Sequence, residues 1–167
     1  MVVLPSHLGP LMHPASMAAL AAKLHSPHSL RGAAVGGSDA SDATASAWLP
    51  SNRIIVRALP LELRPESSMV RELAAIWLGV SESLRTLKLH QLVWVTDSAA
   101  AAYALTKARA GTLHGSRIVE RIIDLCGEHH CTLWPVWLPR LSRIPEMCDF
   151  AGKASISAFS ARFGSAD

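Results

Sequence analysis

Four carboxylates stand where an α/β chain tends to keep its catalytic acids, at strand ends or on a helix facing them. Asp39 ends a first strand-like run, Glu72 lies in the first turns of a helical segment, Asp97 follows a buried-strand run, and Asp149 lies in a terminal segment. Asp97 is the most telling of them. It comes after the apolar Leu92–Val95 and Thr96, and Ser98 and a helical stretch follow, which places it at the carboxyl end of a core strand. The competing reading is that Asp97 only caps the next helix. Glu72 would likewise suit a helix dipole with no further role. Four carboxylates on one sheet edge would repel unless a divalent cation neutralised them. Mg²⁺ takes oxygen ligands and keeps waters and substrate phosphates in its shell. Two such ions roughly 4 Å apart clamp the attacking and leaving oxygens of a phosphodiester displacement. That is a nuclease's chemistry, and it calls for acids rather than His or Cys.

The elements that must position these acids can be read along the chain. Ala33–Val35 and Thr44–Leu49 are strand-like runs, punctuated by Gly36-Gly37 and by the Ser38–Asp42 cluster. Pro50-Ser51-Asn52 makes a turn before Arg53–Leu59, whose centre is Ile54-Ile55-Val56. Ser67-Ser68 caps a helix in which Val70, Leu73, Ala74 and Trp77 form one apolar stripe. Leu92–Val95 reads as a buried strand. Ala99–Arg109 reads as an Ala-rich helix, and Arg117–Cys126 as a helix with Gly127 as its stop. Thr132–Leu138 is strand-like, with Pro135 marking an edge or a bulge. The order β-β-β-α-β-α-α-β plus a terminal segment predicts an α/β fold whose mixed sheet joins an antiparallel meander to parallel strands.

At 167 residues and 17.9 kDa the chain suits one domain with a real core. It is half hydrophobic and only 17% charged, which argues against wholesale disorder. No apolar run approaches the roughly 18 residues of a membrane span. Glu72–Val80 comes nearest and opens with a carboxylate. Met1–Leu11 has no basic residue before its apolar letters and contains Pro5 and Pro10, unlike a signal peptide. Cys126, Cys131 and Cys148 make an odd, sparse set, expected as reduced thiols in an intracellular protein of the cytoplasm or nucleus. A net charge of +3 leans mildly toward polyanions. Residues 1–30 hold four of the eight histidines and no acid, and read as a tail or the end of a missing upstream region, with a short helix over Met17–Leu24. The domain is expected over 31–155, with a tail over 156–167.

Four stretches together resemble the ribonuclease H domain of retroelement reverse transcriptases, and most of all that of DIRS-like retrotransposons and their relatives. Ser38-Asp39-Ala40-Ser41 is similar to the family's opening Thr-Asp-Ala-Ser. Ser68–Ile76 is similar to its S-x-x-R-E-L-x-A-I helix, and Val93–Ser98 to the segment of its second aspartate. Trp137-Leu138-Pro139-Arg140, leading to Asp149, resembles its W-x-P-R…A-D-x-L-S-R close. The resemblance covers about residues 31–155. It implies an RNase H-like fold with helices on both sheet faces and hydrolysis of the RNA strand of an RNA–DNA hybrid. It also implies two Mg²⁺ ions (or Mn²⁺), held by Asp39, Glu72, Asp97 and Asp149, and a reverse-transcriptase polymerase domain as a possible partner. Arg140, Arg143 and Lys153 flank the implied site and could meet phosphates or remain solvated surface charge.

The chain also departs from that pattern. Ala43–Trp48 stands where the family has a Gly-Trp-Gly-Ala-like strand, and Phe150-Ala151-Gly152-Lys153 replaces Leu-Ser-Arg. Glu146 is therefore an alternative to Asp149, and Asp42 competes with Asp39. These departures motivate a second reading, a catalytically decayed module of the same fold with a structural or nucleic-acid-binding role. Cys126, His129 and Cys131 have zinc-ligand chemistry, but a closed site needs four ligands and Cys148 is the only other thiol, so Cys126 reads as core.

Overall fold

A computed structural model describes residues 33–140, 142–153 and 162. The expected Met17–Leu24 helix, the 1–30 segment and all but Arg162 of the 156–167 tail lie outside the described residues. The chain forms β1 (Ala34–Ala40), β2 (Thr44–Trp48) and β3 (Ile54–Ala58), then α1 (Ser68–Thr86) and β4 (Gln91–Thr96). It continues through α2 (Ala99–Thr106), α3 (Leu113–Glu128), β5 (Thr132–Trp137) and α4 (Arg143–Lys153). The sheet order is β3-β2-β1-β4-β5. β1, β2 and β3 pair antiparallel, whereas β4 joins β1 and β5 joins β4 in parallel. The fold is thus α/β with a five-stranded mixed sheet. No described helix is long and apolar enough to cross a membrane.

β1 runs unbroken from Ala34 to Ala40, through the residues expected to interrupt it. Gly36-Gly37 and Ser38-Asp39 do not punctuate the first strand; they are its centre. A Cβ on Gly36 would come within 2.4 Å of the Trp94 ring and 2.9 Å of the Trp48 carbonyl. On Gly37 it would come within 2.3 Å of Ile144 on α4. Successive strand residues face opposite sides, so the pair leaves room for Trp94 on one face and for α4 on the other. The glycines serve close packing on both faces of a buried strand, which local composition reads as a break.

α1 begins where expected, with the Ser67 hydroxyl accepting from Val70 N at 3.4 Å. Val70, Leu73 and Ala74 of its stripe are buried, and Trp77 is half-buried against the core. The helix is drawn onto the sheet at Gly79, where a Cβ would lie 2.2 Å from Trp94 Cζ2 and 2.8 Å from the Ala47 methyl. Trp94 is fully buried and its indole donates to Ser38 Oγ at 2.9 Å, so it has nowhere to retreat. Gly79→Ala is therefore expected to destabilise the fold by about 1–3 kcal/mol, although alanine is otherwise better in a helix by about 1 kcal/mol. Chemical denaturation checks this; a more stable variant would show that the ring can shift.

α3 starts four residues before the expected Arg117, with Thr112 Oγ1 accepting from Gly115 N at 3.1 Å, and it runs through Gly127 rather than stopping there. Its opening Leu113 is 67% exposed, so the first turn adds nothing to the apolar stripe that marks the helix in sequence. α2 ends at Thr106, short of Arg109. Pro135 does lie in an edge strand, since β5 pairs only with β4. The larger core cluster joins α1 and α3 to one face of the sheet around Trp94. A smaller one lies on the other face, where Val93, Val95, Val136 and Leu138 meet Ile144 of α4. Ser46 fixes α4 there, donating to the Cys148 carbonyl at 2.6 Å.

Candidate metal centre

The parallel register between β1 and β4 sets Ser38 level with Thr96. One residue further on, Asp39 and Asp97 reach the same carboxyl edge of the sheet. Glu72 comes to that edge from the first turns of α1, and its Oε1 accepts from Ala40 N at 3.1 Å. One carboxylate oxygen from each of Asp39, Glu72 and Asp97 lies within 4.8 Å of the others. Asp97 does not cap α2: that role belongs to Ser98, whose Oγ accepts from Ala101 N at 3.1 Å. Asp97 instead stays at the strand end, where its carbonyl accepts from Trp137 Nε1 at 3.0 Å.

The cluster is costly without a cation. Asp39 and Glu72 are each only 5% exposed, and Asp39 Oδ1 and Glu72 Oε2 have no hydrogen-bond partner. Burial, and then the neighbouring charge of Asp97, raise the Asp39 pKa from 3.8 to about 6. Burial, and then the charge of Asp39, raise that of Glu72 from 4.5 to about 9. Two buried carboxylate oxygens that accept from no N–H or hydroxyl, beside a third acid, form an all-oxygen donor set for a hard divalent cation. The residues present fit such an ion.

Arg140 is the counter-charge within the chain. It lies three residues beyond β5, whose register sets Trp137 level with Thr96. Its Nε donates to Asp97 Oδ2 at 2.7 Å, and its Nη2 stands 3.7 Å from Asp39 Oδ1, an ion pair too long for a hydrogen bond. The sequence offered Arg140 as a phosphate contact; the structure pairs it with the acids. Any signal for this lay in strand register, which is not readable residue by residue.

Asp149 stands on α4 outside the cluster of three, its Oδ1 accepting from Lys153 Nζ at 2.5 Å. Its charge still contributes to raising the Asp39 pKa, so it lies close to the site. The two alternatives are held elsewhere. Asp42 is almost fully exposed and pairs with Arg71 at 3.1 Å, and Glu146 pairs with Arg162. Lys153 engages Asp149, and the Arg143 side chain lies outside the described residues. Cys126 and Cys131 are buried free thiols, consistent with a core reading, and neither belongs to a metal-type cluster among the described residues. Scanned against models of known protein families the chain matches none, and no curated protein matches it.

Proposed function

We propose that the domain is a ribonuclease H-like, metal-dependent endonuclease that hydrolyses the RNA strand of RNA–DNA hybrids. The observation that carries this reading is the convergence of Asp39, Glu72 and Asp97 on one sheet edge, with two buried carboxylate oxygens that accept from no N–H or hydroxyl. The mixed sheet agrees with it, an antiparallel meander continued by parallel strands, as does the presence of helices against both faces. The retroelement origin, with a reverse-transcriptase polymerase domain as partner, rests on the sequence motifs alone.

Bound Mg²⁺ or Mn²⁺, two ions in this reading, would activate a water for attack on the phosphate and stabilise the departing 3′-oxygen. The chain's own residues do the holding. Asp39 and Glu72 offer oxygens that water does not reach, and Asp97 offers one at the open side. The bond from Ala40 N fixes one Glu72 oxygen and leaves the other free to ligate. Asp149 is the fourth acid at hand, on the α4 side. Lys153, 59% exposed and paired with Asp149, would be a phosphate contact in this reading.

A panel of end-labelled hybrid, duplex DNA, duplex RNA and branched DNA, incubated with Mg²⁺ or Mn²⁺, tests the proposal. The expected product is cleaved RNA from the hybrid alone. Cleavage of branched or duplex DNA with the hybrid intact would assign the site to another nuclease class. The second reading, a decayed module of the same fold, is favoured by the pairing of Asp149 with Lys153. It predicts no cleavage of any member of the panel.

A further inference from the structure

The guanidinium of Arg140 is the one cation within ion-pair distance of the three clustered acids among the described residues. It reaches them from outside, on a side chain 58% exposed, whereas Asp39 and Glu72 are buried. The arrangement is asymmetric. Arg140 satisfies Asp97 with a short bond, stands only in Coulomb range of Asp39, and leaves Glu72 Oε2 and Asp39 Oδ1 without hydrogen bonds. A guanidinium is too broad to enter the space between three carboxylates, so it covers the open side of the cluster rather than filling it. A divalent ion bound by the same oxygens would bring two positive charges to within a few ångströms of that guanidinium, and like charges so placed repel.

We propose that Arg140 is a displaceable counter-ion. It neutralises Asp97 and Asp39 while the site is empty, and a divalent cation must push it aside, so its charge sets the cation concentration at which the site loads. This rests on the metal reading of the cluster above but not on any nuclease activity. Because the side chain is more than half exposed and sits on a loop after β5, moving it away costs chiefly its bond to Asp97. Once displaced, its guanidinium is free at the rim for a substrate phosphate, a planar donor suited to that geometry.

The test is a Mn²⁺ titration of the full chain, read by the electron paramagnetic resonance of free Mn²⁺, with no nucleic acid present. Wild type, Arg140→Gln and Arg140→Lys are compared, and circular dichroism confirms that each is folded. Arg140→Gln is expected to bind Mn²⁺ about three- to tenfold more tightly than wild type, the effect of removing one partly screened positive charge. Arg140→Lys keeps the charge and should stay within about twofold of wild type. Binding that is equal in wild type and Arg140→Gln, or weaker in Arg140→Gln, overturns the proposal while leaving the metal site standing. No Mn²⁺ binding by any of the three overturns both. The separate case of binding by Arg140→Gln alone supports the displacement in its strongest form.

Discussion

Replacing Asp97 with asparagine is expected to lower metal-dependent hybrid cleavage by about 10²- to 10³-fold with the fold intact, the scale on which loss of one electrostatic group in an active site is felt. Asparagine keeps the size of the side chain and one oxygen but removes the charge that a cation would meet. The structure gives reasons for the fold to survive. The helix cap at this point is Ser98, and the bond that Trp137 makes here is to the Asp97 backbone carbonyl. The side-chain interaction lost is with Arg140, which is largely exposed. Single-turnover cleavage of a labelled hybrid, alongside a thermal melt, checks both parts. Cleavage at the wild-type rate would remove Asp97, and with it the cluster, from the chemistry.

The second large effect concerns stability. The folded-state values of both Asp39 and Glu72 lie above their ordinary ones, at about 6 and about 9. Between the ordinary carboxyl range and those values the folded protein binds protons that the unfolded chain has released. Stability must therefore fall as pH rises through this window, and the penalty vanishes below about pH 4. The metal-free protein is expected to melt at a lower temperature at pH 8 than at pH 5. Glu72→Gln removes the main penalty, and its amide oxygen can still accept from Ala40 N. That variant should gain roughly 2–3 kcal/mol at pH 8 without metal, or about 5–10 °C. Millimolar Mg²⁺ should raise the wild-type melting temperature at pH 8 and leave that of Glu72→Gln nearly unchanged, since a ligand that binds only the folded form stabilises by mass action. A melting temperature that climbs from pH 5 to pH 8 without metal would contradict the buried-carboxylate picture.

What the sequence showed depended on how local each signal was. The β4 run Leu92–Val95 and the α1 stripe lie within single elements, and both were legible along with the position of Asp97 at a strand end. The choice between Asp39 and Asp42 was not. The two differ in where the β1–β2 turn begins, and only the structure buries one and leaves the other exposed beside Arg71. Gly36-Gly37 misled for a related reason. Their role is to admit Trp94 from 58 residues further along and Ile144 from still further. Arg140 read as a surface cation because its partners belong to other strands. Asp149, read as a fourth ligand in a terminal segment, stands on α4 beside Lys153 and outside the cluster of three, because the turn of helix that gives it that neighbour lay outside the apolar pattern.

The separation between Asp97 and Arg140 also has a meaning in time. The three clustered acids have all been made once residue 97 is joined to the chain, whereas the guanidinium that faces them comes 43 residues later. At ordinary elongation rates of about 5–20 residues per second, that interval lasts roughly 2–9 s. During synthesis the carboxylates thus precede their internal counter-charge. Until residue 140 is made, the bond that Arg140 gives Asp97 is not available to them. The newborn chain meets its ionic environment before it meets Arg140.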